Sequence, residues 1–188
     1  MAQFYKRWSE ETVQKRTLFI SRLAIILSLT VVVQIAGLPQ PITGPLINAI
    51  LFFTAALLGS VAGVVVGCLT PAVALIRGQL PMPLAPMVPF IALGNITLVL
   101  VYNGLKNTKI RQSRLFVSVN HYLTIIFAAV AKFFFLFLSV KIILPILLKV
   151  DIPPKIVFLM TTPQLITAVV GGILATIFMK IFKKNVIV

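Results

Sequence analysis

Acidic side chains are nearly absent from this 188-residue chain, which has three of them against 17 lysines and arginines. Glu10, Glu11 and Asp151 all lie outside the long apolar runs. Paired-carboxylate catalysis, proton relays through a membrane and carboxylate-bound divalent metals each need acids within the apolar interior. The sequence therefore excludes these three kinds of site from its apolar segments.

Cysteine and histidine are equally scarce, with one residue of each. Neither a disulfide nor a zinc site can be built from Cys68 and His121 alone. Because Cys68 lies in an apolar run, we interpret it as a small buried hydrophobe. The sequence also has no GxxxxGK[ST] run to bind a nucleotide phosphate. We therefore expect no enzymatic activity, no metal and no cofactor.

Hydrophobic residues make up 60% of the chain and charged residues 11%, whereas soluble domains have about 25% charged residues. This composition predicts an all-α polytopic membrane protein. Six apolar segments predict a bundle of six transmembrane helices: Leu18–Gly37, Pro45–Leu58, Val61–Ile76, Pro89–Tyr102, Tyr122–Leu148 and Pro163–Phe182. The second, third and fourth segments are shorter than the ~20 residues of a simple span, so they must pack against their neighbours.

The basic residues predict the orientation of this bundle. Most of them precede the first segment, separate the fourth from the fifth, or follow the sixth, and such a bias places both termini in the cytoplasm. We divide the chain into a cytoplasmic N-terminal segment (1–17) that favours an interfacial helix, a transmembrane domain (18–182) and a cytoplasmic tail (183–188). The net charge of +14 fits this topology and attraction to anionic lipid, and no nucleic-acid-binding motif accompanies it.

Lys132 is the most informative polar residue, because the run AAVAKFFFLFL places its ammonium near the middle of the fifth segment. Insertion of a lysine there costs about 2.5–3.5 kcal/mol, and no carboxylate lies in the spans to pair with it. Three outcomes stay open: the side chain extends to an interface, it loses its proton, or it faces a cavity that holds water or an anionic ligand. If Lys132 shares such a cavity with Arg77, the favoured ligand carries a carboxylate or another anionic group.

Several other polar side chains lie in the same outer half of the predicted bundle. Each of them alone fits a helix cap or a hydrogen bond between helices, but their common position on one side of the membrane predicts a shared pocket. The candidate substrate-binding residues are Gln34, Asn48, Arg77, Asn95, Lys132 and Gln164.

Two proline-rich connections lie on the same side, GLPQPITGP (Gly37–Pro45) and RGQLPMPLAPMVP (Arg77–Pro89). Their prolines oppose regular helix. They are either plain surface connectors or lids over a cavity, and the apolar character and length of the second favour a lid. The candidate lid residues are Thr43, Gln79, Pro83 and Pro86.

Small residues at helical spacing predict close contacts between helices. Gly59, Gly63 and Gly67 recur every four residues, which is the spacing that lets two helices approach closely. Ala24 and Ser28 form a similar pair in the first segment. This pair is either an internal helix contact or a docking groove for a partner membrane protein.

These features together resemble the substrate-binding membrane subunit, or S component, of energy-coupling-factor (ECF) vitamin transporters of bacteria and archaea. The resemblance covers nearly the whole chain and depends on size, the six spans, the lysine of the fifth span and four stretches of sequence. These stretches are PQPITGPLINA (Pro39–Ala49), LLGSVAGVVVG (Leu57–Gly67), TPAVALIRG (Thr70–Gly78) and PFIALGN (Pro89–Asn95). The resemblance implies a prokaryotic plasma-membrane protein that binds a small water-soluble vitamin or precursor near the outer face, under the two connections.

The resemblance also implies partners: a transmembrane coupling subunit and two ATPase subunits, which drive release of the vitamin as the S component topples in the lipid bilayer. In the family, an Ala-x-x-x-Ala motif in the first span contacts the coupling subunit, and Ala24 and Ser28 match it imperfectly. The alternative function is a non-catalytic membrane assembly protein that binds no small molecule. For the transport function, we expect Lys132→Ala to weaken binding of an anionic vitamin at least about tenfold.

Overall fold

The computed structural model describes the backbone of residues 2–80, 82–106, 114–149 and 152–185, and the side chains of residues 13–80, 85–106, 120–149 and 152–181. Over this part of the chain the structure consists of helices with short connections and has no strand, which confirms the all-α prediction. The α-helices are α1 (Ala2–Ile35), α2 (Gln40–Leu58), α3 (Ser60–Ile76), α4 (Val88–Lys106), α5 (Arg114–Leu138), α6 (Leu144–Leu148) and α7 (Pro154–Asn185). A 3-10 helix (Met82–Met87) precedes α4, and a π-helical turn (Ser139–Ile143) joins α5 to α6.

Five helical segments are long and apolar enough to cross a membrane. They are Val13–Ile35, Gln40–Leu58, Ala85–Lys106, Asn120–Leu148 and Pro154–Ile181. The remaining apolar helix, α3, has 17 residues and is shorter than a simple span. These lengths and compositions are those of a helical membrane protein, and the sixth span stays a prediction.

Two helices begin earlier than the sequence predicted. Helix α2 begins at Gln40 instead of Pro45, because Pro41 lies in its first turn, where a missing N–H interrupts no hydrogen bond. Helix α7 begins at Pro154 instead of Pro163, which lies inside the helix. Neighbouring helices let a membrane helix tolerate an internal proline. The predicted boundaries at Pro45 and Pro163 were therefore wrong, because both prolines lie inside their helices.

Helix α1 is a single helix of 34 residues, about 51 Å long at ~1.5 Å per residue. Residues 2–17 thus continue the first span as helix without a break. Whether they lie at a membrane interface stays a prediction. The last three residues of the tail, 186–188, lie outside the described part of the chain.

Glycines allow close approach at two helix contacts, α3 with α4 and α2 with α7. A Cβ on Gly63 would lie 2.7 Å from Val99 Cγ1, and one on Gly67 would lie 3.1 Å from Asn95 Cβ. On α7, a Cβ on Gly171 would lie 2.6 Å from Asn48 Cβ. Gly63 and Gly67 therefore mark an internal contact, as their spacing predicted.

The buried apolar side chains form two clusters. The larger lies between α1, α2, α3, α4, α5 and α7, and the smaller packs the second connection against α5, the π-helical turn, α6 and α7. Leu80 and Met87 of that connection are buried in the smaller cluster, so the connection folds down onto the bundle as a lid would. Cys68 is exposed on the surface of the bundle. Its interpretation as a buried residue was wrong, because it lies on a face of α3 that no described helix covers.

Candidate ligand-binding cavity

A cavity of about 90 Å³, lined by both polar and apolar residues, lies at the end of the bundle where α1 and α3 end and α2 and α4 begin. Among the described residues, it is lined by Gln34, Gln40, Thr43, Gly44, Ile47, Asn48, Thr70, Pro71, Ala74, Gln79, Leu80, Ile91, Asn95, Lys132, Met160 and Gln164. Five of the six candidate substrate-binding residues therefore lie together, although they come from five different helices. Their role in binding stays a prediction.

Lys132 is buried in the wall of this cavity, with 2% of its surface exposed. Its Nζ donates a hydrogen bond of 2.9 Å to Asn48 Oδ1. The alternative in which the side chain extends to an interface is therefore wrong. A lysine Nζ has up to three N–H groups, and Asn48 takes one of them, so the others are available to a molecule in the cavity.

Asn48 holds Lys132 in place because its own amide is fixed on both sides. Its Nδ2 donates to Gly44 O at 3.0 Å and to Thr167 Oγ1 at 3.3 Å. These contacts direct the amide nitrogen away from Lys132 and the amide oxygen towards it. Asn48 thus connects α2 to α5 and to α7 at one point.

Asn95 lies in the cavity wall on α4. Its Nδ2 donates to Gly67 O at 3.1 Å and to Thr70 Oγ1 at 3.0 Å, both on α3. The absence of a side chain on Gly67 is what lets Asn95 approach the α3 backbone. The sequence identified Asn95 as a candidate, but it gave no indication that Thr70 is its partner.

Gln34 contributes an acceptor that has no partner. Its Nε2 donates to Thr70 O at 2.6 Å, and because a carbonyl can only accept, this bond fixes which end of the amide faces α3. Its Oε1 is buried and accepts no hydrogen bond from any described group. A buried acceptor without a donor destabilises a protein by about 1–3 kcal/mol, so this atom is a point at which a ligand or a water would gain binding energy.

The second connection is tied to the end of α1 by two side chains. Gln79 Nε2 donates to Gln34 O at 3.0 Å, and Gln79 lines the cavity. Arg77 Nε and Nη2 donate to Ile35 O at 3.3 and 3.1 Å. Arg77 is exposed and does not line the cavity, because it caps the end of α1 instead. The prediction that Arg77 and Lys132 share a pocket was therefore wrong.

The remaining candidate residues have different positions. Thr43 lies in the first turn of α2 rather than in a loop, and its hydroxyl donates to Leu38 O at 2.8 Å. Gln164 lines the cavity from the interior of α7 instead of opening that helix. Pro86 is exposed within the 3-10 helix, and the side chain of Pro83 lies outside the described residues.

Two hydroxyl groups of this network, those of Thr70 and Thr167, were missed at the level of sequence. Each also donates to a backbone carbonyl of its own helix, Gly67 O at 3.2 Å and Gln164 O at 3.2 Å. Threonines commonly bond their own helix in this way in membrane proteins, so their identity alone predicts no site. A Cβ on Gly44 would lie 2.8 Å from Thr167 Cγ2, so the glycine at this position marks the close approach of α2 to α7.

Lys132 is the only charged side chain among the described lining residues. The described residues also contain no cluster of histidine, cysteine and acidic side chains that could hold a metal ion. The cavity therefore combines one cationic group with amides and hydroxyls, which suits a small anionic or polar molecule.

Comparison of the chain with protein-family models, curated proteins and solved structures gives no match.

Proposed function

We propose that this protein is the substrate-binding membrane subunit of an ECF-type importer, which captures a small water-soluble vitamin or precursor. The observation that supports this proposal is the buried Lys132 in the wall of a cavity that also presents amide and hydroxyl groups. A bundle stabilised only by apolar packing has no need of a lysine at this depth, where its insertion costs about 2.5–3.5 kcal/mol. Binding of an anionic substrate gives this unfavourable position a function.

The polar groups around Lys132 support substrate binding rather than a purely structural role. Asn48, Asn95 and Gln34 are buried and lie on three different helices, so the cavity presents amides from several directions. Closure of such a site over a substrate excludes water and strengthens each polar contact. The hydrogen bonds of Gln79 and Arg77 to the end of α1 hold the second connection beside the cavity, and breaking them is the step that we assign to substrate entry.

Uptake against a gradient requires an external energy source, and the sequence has no phosphate-binding run of its own. We assign this role to a coupling subunit and two ATPases. Ala24 and Ser28 are exposed one turn apart on α1, and only 17% of the most apolar part of this helix is buried. This surface is available to the coupling subunit, which would contact α1 through its small residues.

We further propose six spans in the prokaryotic plasma membrane, with α3 as the short one and both termini in the cytoplasm. The cavity then opens to the outside. Accessibility of introduced cysteines tests this topology in a Cys68→Ser background. In intact cells, a membrane-impermeant maleimide is expected to label Lys149→Cys but not Arg16→Cys, and the reverse pattern would invert the topology.

Mass spectrometry of small molecules released from the purified protein tests substrate binding. We expect an acid to be released from the wild type, and Lys132→Ala to bind it at least about tenfold more weakly. Lys141→Ala is the matched control, because Lys141 is an exposed lysine beyond the same helix. If the protein releases no ligand and binds none of the common water-soluble vitamins, the alternative role as an assembly protein replaces this proposal.

A further inference from the structure

The cavity wall restricts the class of ligand, and this restriction rests on the proposed function. We infer that the ligand is a small, non-aromatic acid with a single negative charge and a hydroxyl or N–H group. Its carboxylate binds Lys132 Nζ, and its hydroxyl or N–H group donates to Gln34 Oε1. Three properties of the wall support this inference: its charge, its unpaired acceptor and the absence of aromatic rings.

The charge of the wall favours a monovalent anion. Lys132 is the single cation among the described lining residues, and none of these residues is acidic. Glu10 and Glu11 lie on α1 more than 20 residues before Gln34, about 36 Å away along the helix. One ammonium balances one carboxylate, whereas a phosphate ester with about two charges would be left partly unneutralised in a buried site. A cationic ligand would meet Lys132 with no acid to offset the repulsion.

The unpaired acceptor requires a ligand that also donates a hydrogen bond. Thr70 O holds the amide nitrogen of Gln34 at 2.6 Å, so the amide cannot turn over and pair its oxygen elsewhere without losing that bond. Both residues line the cavity, and Gln34 Oε1 has no donor among the described groups. A hydroxyl or N–H group of the ligand satisfies this oxygen, while an acid that lacks a donor leaves it unpaired.

The wall has no aromatic side chain among its described residues, although 10% of the chain is aromatic. Flat aromatic ligands are commonly bound by stacking on such rings. The apolar part of the wall is aliphatic instead, with Ile47, Leu80, Ile91 and Met160. The wall therefore suits a compact, non-aromatic organic molecule.

A panel of six vitamins separates this inference from the proposed function. Pantothenate and biotin are non-aromatic acids that carry hydroxyl or N–H donors. Lipoate has no donor besides its acid group, nicotinate is an aromatic acid, riboflavin is a large aromatic molecule and thiamine is an aromatic cation. Calorimetric titration of the purified full-length protein is expected to show binding of pantothenate or biotin, tighter than binding of any other member of the panel. Tighter binding of one of the other four would overturn the ligand class and leave vitamin capture standing. Binding of none of the six would also overturn the ligand class, and vitamin capture would fall only if the remaining water-soluble vitamins failed to bind as well.

Two variants then test which wall group recognises which part of the acid that binds. The wild type is expected to prefer the acid over its alcohol analogue, in which CH2OH replaces the carboxylate, by at least about tenfold. Lys132→Met is expected to reduce this preference to less than about threefold, because a neutral side chain no longer distinguishes the two. If the preference survives in Lys132→Met, Lys132 does not bind the carboxylate.

Gln34→Met tests the contact of Gln34 with the donor group of the ligand. This variant is expected to bind the acid about fivefold more weakly than the wild type and to show a smaller preference for that acid over lipoate. Gln14→Met is the matched control, because Gln14 is an exposed glutamine on the same helix that does not line the cavity. A purely structural role of Gln34 would weaken binding of both acids equally. Such an outcome would overturn the assignment of the donor to Gln34 Oε1.

Discussion

Replacement of Lys132 by methionine separates a binding role of this residue from a structural one. Methionine has a similar length and no charge, so the variant removes the ammonium and keeps most of the packing. The wild type bears the insertion cost of about 2.5–3.5 kcal/mol for a lysine at this depth. The variant avoids that cost but loses the 2.9 Å hydrogen bond to Asn48 Oδ1, and leaving that buried acceptor unpaired destabilises the protein by about 1–3 kcal/mol.

The difference between these two terms ranges from about 0.5 kcal/mol against the variant to about 2.5 kcal/mol in its favour. For a chain of this size, the ligand-free variant should therefore unfold between about 2 °C below and about 10 °C above the wild type. At the same time, the variant should retain none of the acid that co-purifies with the wild type. A gain of stability together with a loss of binding is typical of a residue kept for function.

Thermal unfolding of both proteins in one detergent, with mass spectrometry of the retained small molecules, measures the two effects in the same samples. Lys141→Met, which changes an exposed lysine, should alter neither property. If Lys132→Met instead unfolds about 5 °C or more below the wild type, the bond to Asn48 is a structural connection between α5 and α2. The ammonium of Lys132 would then stabilise the protein more than its burial costs, and the reasoning from that cost would be refuted.

Two further variants test the contact between α2 and α7 and the hydrogen bond from Gln79 to the end of α1. Gly171→Ala should destabilise the protein by about 1–3 kcal/mol, because the added Cβ would lie 2.6 Å from Asn48 Cβ and 2.7 Å from Pro45 O. Gly104→Ala is the control, because a Cβ there would have nothing within 4 Å, and it should not lower the thermal unfolding temperature. Equal effects of the two variants would contradict the close contact at Gly171. Gln79→Ala removes the bond from Nε2 to Gln34 O and should speed dissociation of the bound acid about two- to tenfold in stopped-flow measurements. An unchanged dissociation rate would show that this bond does not limit opening.

The composition of the chain was sufficient to predict an all-α membrane protein, and the energetic cost of Lys132 was sufficient to select it from 17 basic residues. Gln34, Asn48, Asn95 and Gln164 could be grouped because their helices meet at one end of the bundle. These predictions needed only the position of each residue along its helix, and the apolar periodicity of the sequence indicates that position.

What the sequence could not give was the direction of side chains at helix ends. Arg77 and Gln79 are two residues apart, yet one caps α1 from outside and the other lines the cavity. The left-handed backbone of Gly78, with φ of 75°, lies between them and changes the direction of the chain. Proline was ambiguous for a related reason, because Pro41 fits a first turn or a loop equally well, and only packing against the other helices decides.

The contact between α2 and α7 gives the two sides of the cavity different tolerance to change. Asn48 is packed against Gly171 and bonded to Thr167, so a substitution there disturbs two helix backbones at once. Gln79 and Gln40 lie at the rim, where a new side chain displaces no neighbouring helix. Evolution or design of a new specificity is therefore expected to proceed by exchange of rim residues, while Asn48 and the Lys132 bonded to it stay the same.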